Sequence, residues 1–333
     1  MPMSLTVAGK SDPRAFAPEG FVLVMVLWLI ALLTIIALGL AYNSRQAVQG
    51  ASSITGGIQA RYLAEGGVQL ALMNLLSREP QDRLLGDGET LDINLPGGAV
   101  ALTVTDEAGK IDLNTASAEM LSRLFVSFDL SPADADALAD ALVDYRDEDD
   151  LKGLNGAEDP DYEAAGLPWE AKDSAFTDTE ELQQVYGMPR WLYQAVLPYV
   201  TIYSQARGVN PEVASLQVLF ALSDDSPSSL ENYIRDRRDN HLARLPLPAP
   251  PTMDAAFVTR ARGITLTLAA TGRSPSGKQA AISTVVRIRR GRNRETIETL
   301  NWLPYRHQAV EGGGEHGSLP VIRQGAANGP NNE

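Results

Sequence analysis

From Phe21 to Ala41 the chain reads Phe-Val-Leu-Val-Met-Val-Leu-Trp-Leu-Ile-Ala-Leu-Leu-Thr-Ile-Ile-Ala-Leu-Gly-Leu-Ala, with no charged residue. At 1.5 Å of rise per residue, about 20 helical residues cover the hydrocarbon core of a bilayer, so this run is long enough to span one. A helix that is apolar on every face needs either a membrane or a large protein around it. A secretory signal peptide fits less well, because the run is longer than a typical signal core and no small-x-small cleavage site directly follows it. Lys10 and Arg14 precede the run and Arg45 follows it, which favours a cytoplasmic N-terminal arm with the bulk of the chain exported.

The 333 residues leave room for more than one domain, and no repeat recurs at a fixed period. Cysteine is absent, so an exported domain here must obtain any extra constraint from packing or from a metal. The net charge of −14 is unevenly spread. Asp106 to Tyr186 holds 5 basic and 22 acidic residues, a local charge of −17, whereas Arg260 to Arg306 holds 10 basic and 2 acidic, a local charge of +8. Two modules of different character are implied.

Residues 43–80 read as a continuation of the apolar helix into a half-buried stem, with Val68, Leu72, Leu75 and Leu76 on one face. Gly50, Gly56, Gly57, Gly66 and Gly67 weaken that helix and mark either local unwinding or close packing. Arg78-Glu-Pro80 is expected to end it. A hairpin follows over residues 90–106, turning at Pro96-Gly97-Gly98. Strand patterns then vanish until Ile264–Leu268, Ala280–Arg289 and Glu295–Leu300. Residues 107–205 instead read as helical. Asn114 or Thr115, with Ser117 as a second candidate, caps the first helix, Ala133–Tyr145 forms the second, Thr177–Leu182 the third, and Trp191–Val196 the fourth. Residues 206–305 complete the sheet-bearing part, and the Gly/Asn/Pro-rich segment 306–333 has the composition of a disordered tail.

Three features together resemble the class K minor pseudopilins of type II secretion. The first is the polar arm ending Pro18-Glu19-Gly20 ahead of Phe21, which is similar to a prepilin peptidase site. In that family the peptidase removes the leader, here residues 1–20, and methylates the new N-terminus at Phe21. The transmembrane helix is then 21–42. The second is Lys110-Ile-Asp-Leu-Asn-Thr-Ala-Ser117. The third is the acidic stretch Asp144-Tyr-Arg-Asp-Glu-Asp-Asp150 followed by Glu158-Asp-Pro-Asp-Tyr162. Most pseudopilins carry Glu at the fifth mature position, where this chain has Met25, and class K members typically lack that glutamate. The resemblance extends through Pro198–Tyr203 and Gly208–Pro211. It implies an α+β fold: an N-terminal transmembrane and stem helix, a pilin-like antiparallel sheet, and a large all-helical, sterile-alpha-motif-like insertion between the sheet halves.

Calcium takes six to eight oxygens on flexible loops, and the acidic stretch with Gly153 and Gly156 can supply them, although its spacing is not that of an EF-hand. On spacing alone a solvated acidic loop is the favoured reading. The resemblance implies calcium in this domain, with Asp147, Asp149, Asp150, Glu158, Asp159 and Asp161 as ligand candidates. Only His241, His307 and His316 could offer nitrogen, which argues against zinc-type metals.

A rival reading comes from the same helical stretch, which also resembles helix-hairpin-helix repeats and hence a membrane-anchored receptor for DNA uptake. The turn Phe125–Ser131 has neither the glycine nor the base that such repeats use, and a local charge of −17 repels a polyanion. The arginines at 287, 289, 290, 292 and 294 suit DNA better, but also suit a solvated sheet edge. No nucleophile elbow, phosphate loop or zinc-protease helix is present, so the chain reads as an assembly protein and not an enzyme. The resemblance implies a bacterial inner-membrane, single-pass protein with its bulk in the periplasm. It would sit at the pseudopilus tip, nucleating or capping assembly. Its implied partners are other minor pseudopilins, the major pseudopilin and the prepilin peptidase, with secreted proteins and the outer-membrane channel as further contacts and no nucleic acid.

Overall fold

A computed structural model describes residues 19–77, 79–291 and 295–304. The arm with Lys10 and Arg14, the arginines at 292 and 294, and the tail with His307 and His316 lie outside the described residues. The chain divides into two compact units, residues 1–55 and residues 56–333.

Helix α1 (Glu19–Leu75) starts in the first unit. Its apolar side chains from Val22 to Leu40 are exposed, as a lipid-facing segment requires, and by length and composition it can cross a membrane. The Thr34 hydroxyl donates to the Ile30 carbonyl at 2.7 Å, so this polar group is satisfied within the helix. The Met25 side chain is exposed on the same segment.

In the second unit the C-terminal part of α1 packs on a five-stranded antiparallel sheet. Strands β1 (Asp87–Leu95) and β2 (Gly98–Asp106) form a hairpin across Pro96-Gly97, where Gly97 takes a φ of 92° that a side chain would resist. On β2 the buried positions alternate, placing Val100, Leu102 and Val104 on one face. They meet Leu63, Ala64, Val68, Ala71 and Leu75 of α1. Two of the five α1 glycines that sequence flagged as weak points are contact points. A Cβ at Gly67 would sit 2.5 Å from Val100, and one at Gly56 would overlap the Ser276 hydroxyl. Gly50, Gly57 and Gly66 face open space, and the helix runs through them without unwinding.

After β2 the chain enters a helical head. Its elements are β3 (Ile111–Asp112), α2 (Ala118–Val126), α3 (Pro132–Arg146), α4 (Asp159–Ala164), α5 (Arg190–Val196), β4 (Val200–Thr201), α6 (Leu216–Leu222) and α7 (Pro227–Leu242). The sheet resumes with β5 (Thr265–Arg273), β6 (Gln279–Arg290) and β7 (Glu295–Pro304), giving the order β1-β2-β5-β6-β7. Strands β2 and β5 are direct neighbours, with Asp106 opposite Leu266, so the head is inserted between adjacent strands. Helices continue past residue 205, where the sequence had shown no pattern, and the stretch expected as a third helix is a 3-10 turn over Thr179–Gln184.

The head has its own core, including Leu121, Leu124, Phe125, Leu142, Tyr145, Tyr162, Leu192, Val196, Leu219 and Leu230. Ser117 caps α2 by accepting from the Met120 amide. Asn114 is not the cap: its side chain accepts from Phe176 N at 2.7 Å and donates to Phe176 O at 3.0 Å, joining two distant loops. Thr115 donates to Ala206 O at 2.6 Å. Head and sheet are tied by Arg237 of α7, which is fully buried. It donates to Asp87 of β1 at 3.0 Å and to the carbonyls of Pro211 and Ala214.

Candidate functional site: a carboxylate cluster in the helical head

The C-terminus of α3 and the N-terminus of α4 face one loop, residues 147–158. Arg146, the last residue of α3, donates to the carbonyls of Leu113 and Ala116, so the Leu-Asn-Thr-Ala segment is fixed against this end of the helix. Two residues earlier Asp144 is buried and accepts from the Gly153 amide at 3.0 Å. Gly156 lies so close that a Cβ there would overlap the Asp144 carboxylate. Only glycine allows the loop to wrap this acid. Asp140, one turn further back, accepts from the backbone and side-chain amides of Asn155 at 3.2 and 3.1 Å.

Around this loop, oxygens are left over. Asp147 Oδ1, Glu158 Oε1 and Asp173 Oδ1 are buried without a hydrogen-bond partner, which is costly for any polar atom and more so for an anion. Their titration reflects the crowding. Burial, followed by repulsion from Asp144, Asp147, Asp173 and Asp150, pushes Glu158 up to about 7. Burial, then Asp149 and Asp144, raises Asp147, and burial, then Asp159 and Asp150, raises Asp173. Asp173 also holds a φ of 51°, an uncommon backbone state for a residue with a side chain.

Among the described residues, no three His, Asp or Glu side chains already form a closed metal-binding group. The unsatisfied, all-oxygen donor set nevertheless fits a hard cation such as calcium, whose charge would relieve the repulsion. Of the six ligand candidates read from sequence, Asp147 and Asp150 lie within electrostatic reach of Glu158. The other three have commitments. Asp161 pairs with Lys152 at 2.7 Å and accepts from Glu158 N, and the Lys152 bond lowers its pKa. Asp159 accepts from Ala171 N and Asp149 from Leu151 N. Sequence reasoning missed Asp144, although it lies inside the acidic motif, and Asp173, which no spacing singles out.

Elsewhere, a cavity of about 590 Å³ opens beside the end of α1, lined in part by Leu75, Leu84, Leu247, Ile288, Arg83, His241 and Arg244. Its polar groups have partners within the chain: Arg83 with Ser77 O, Arg244 with Asp82 at 2.7 Å, and His241 with Arg83 O. Of the basic strand residues, Arg289 pairs across strands with Glu298 at 2.9 Å.

Residues 99–205 match the family model described as type II secretion system (T2SS), protein K. That segment begins in β2 and covers the carboxylate cluster. The type II secretion system protein K of Pseudomonas aeruginosa is 27% identical over 244 residues, spanning 66% of this chain and 72% of that protein. Its counterpart in Klebsiella pneumoniae is 28% identical over 226 residues, covering 60% and 68%. These matches place the chain's similarity with the type II secretion system protein K proteins. The fold is also shared with a chain in the crystal structure of the GspK-GspI-GspJ complex from the enterotoxigenic Escherichia coli type 2 secretion system. The TM-score is 0.51 at 17% identity, covering 80% of this chain and all of that one. Together the comparisons support a minor pseudopilin of type II secretion, and the DNA-receptor reading is not favoured.

Proposed function

We propose that this minor pseudopilin occupies the tip of the pseudopilus, where it nucleates or caps assembly and assists export across the outer membrane. The observation that carries the reading is Met25 in an otherwise apolar, exposed helix. In most pseudopilins a glutamate at this position binds the charged N-terminus of a neighbouring subunit. A thioether cannot, so the coupling to one neighbour is absent. The related complex contains GspI and GspJ beside GspK, which supports other minor pseudopilins as partners here. The apolar stem supports side-by-side packing with them and with the major pseudopilin.

In this reading prepilin peptidase cuts between Gly20 and Phe21 and methylates Phe21. The helix then crosses the inner membrane once and the head lies in the periplasm. Intact mass of the membrane-extracted protein, produced with and without the peptidase, tests this step. A chain starting at Phe21 with one methyl is expected, and retention of residues 1–20 would overturn it. Met25→Glu tests the tip position, since unchanged secretion and unchanged placement would remove the coupling argument.

The carboxylate cluster is proposed to hold calcium through Asp147, Asp150 and Glu158, joined by Asp144 and Asp173. A bound cation would neutralise the cluster and close the 147–158 loop without a disulfide. The role is structural and not catalytic, a view supported by the internally paired polar groups of the larger cavity. Secreted proteins and the outer-membrane channel remain proposed contacts of the head. DNA is not, given the head's excess of acid.

A further inference from the structure

Among the described residues, the two most exposed large hydrophobic side chains are neither in the apolar helix nor in the stem. They are Leu154, at 93% exposure, and Leu151, at 77%, both in the loop between α3 and α4. Single exposed leucines are ordinary on protein surfaces. These two lie three positions apart on a backbone that is held in place. Between them, Gly153 donates to Asp144 and Lys152 reaches Asp161, and directly after them Asn155 donates to Asp140. The loop is thus anchored on both α3 and α4 while it directs two aliphatic side chains into solvent.

The charge around the pair narrows what can cover it. Glu148 and Asp149, both exposed and outside the proposed cation ligands, precede Leu151, whereas Lys152 between the two leucines is turned back onto Asp161. An anionic flank beside an apolar pair is repelled by anionic lipid headgroups and by nucleic acid, and matches a protein surface with an aliphatic socket edged by Lys or Arg.

We propose that Leu151 and Leu154 form a docking knob of the head, which seats in an apolar socket rimmed by basic residues on a protein partner of the secretion apparatus. The knob is distinct from the stem, whose exposed residues serve subunit packing along the helix. Its anchoring keeps the two leucines presented before the partner arrives, so little ordering is needed on contact.

The test uses the full chain, produced at native level in cells that carry the complete secretion system, with a photo-crosslinking amino acid placed at 151 or 154 and, as a control, at Ala164. The expected result is one discrete protein adduct from 151 and from 154 and none from 164. The crosslinked peptide should carry aliphatic residues with Lys or Arg within a few positions. Leu151→Ser with Leu154→Ser should reduce secretion at least tenfold, with the amount of mature protein and its melting temperature unchanged. Adducts to lipid alone, adducts no stronger than at 164, a mapped site lacking basic residues, or normal secretion by the double variant would each overturn the proposal. Should the double variant melt early, the crosslinking result decides.

Discussion

Asp106 sits where the chain leaves the sheet for the head, and its carboxylate joins both ends of that excursion. It accepts from Ala108 N at 3.0 Å on the outgoing side and from Gly263 N at 2.5 Å on the returning side. Burial pushes its pKa up to about 6, against the pull of those two amides and of Arg262. A raised carboxyl pKa means that the folded state holds the proton more tightly than the unfolded chain. The stabilisation from this group is therefore complete below about pH 3.8 and is lost as pH rises through about 6. By proton linkage, the gap between those two values corresponds to about 3 kcal/mol. Urea titrations of the calcium-free protein between pH 4 and 7 should show that fall, and Asp106→Asn should make it shallower, leaving the part due to Glu158, while costing about 1–3 kcal/mol through one unmet backbone amide. Arg237→Met should lower stability by about 3–5 kcal/mol in the same assay, because Asp87 then loses its fully buried cation and keeps Arg238, 2.7 Å away and partly exposed, with the Glu89 amide. Legibility at this scale was uneven. Glycines at 153 and 156 marked a loop, and the acids around them marked a candidate cation site. Asp173 could not be found, since its place in the cluster depends on the return of the chain through Ala171, and the pairing of Asp161 with Lys152 was equally hidden, because nothing in the sequence joins the two.

Elements whose pattern has a single period were readable. The stem, the hairpin and the last three strands lie where apolar spacing put them, and Ser117 shows the value of a second cap candidate. Helix α7 was missed for a physical reason: its inward row is Leu230, Tyr233 and Arg237, and a buried arginine breaks the apolar repeat that sequence reading follows. Helix α6 has only seven residues, too few to separate helix from strand by periodicity. The glycines give an element-scale prediction of opposite signs. A Cβ at Gly272 of β5 would overlap the Ala60 carbonyl and lie 2.7 Å from Ala64 N on α1, whereas one at Gly66 meets nothing within 4 Å. Gly272→Ala should destabilise the sheet against the stem by about 1–3 kcal/mol. Gly66→Ala should add about 0.5–1 kcal/mol by favouring the helix. Chemical denaturation of both variants measures the two effects.

For the molecule as a whole, a cation that binds only the folded head should raise its melting temperature, by about 2.7 kcal/mol in stability at a hundredfold excess over Kd. Adding calcium should therefore raise the midpoint and chelation should lower it. Asp147→Asn with Glu158→Gln should abolish the calcium response and, by removing repulsion, raise the midpoint of the calcium-free protein. A calcium response that survives both substitutions would place the site elsewhere. The general plan of helix, sheet and inserted head could be read from sequence, whereas the exact neighbours in the sheet could not, since no local pattern says that β2 must wait for β5. That waiting bears on biogenesis. Asp106 and Gly263 are 157 positions apart, and a chain synthesised N-terminus first delivers the β1–β2 hairpin long before β5 exists. Until then β2 offers an open edge to any passing strand. Early folding of the head around its own core would bring its two ends together and shorten the loop still to be closed. The speed at which the head folds thus governs how long a newly made chain stays vulnerable to aggregation.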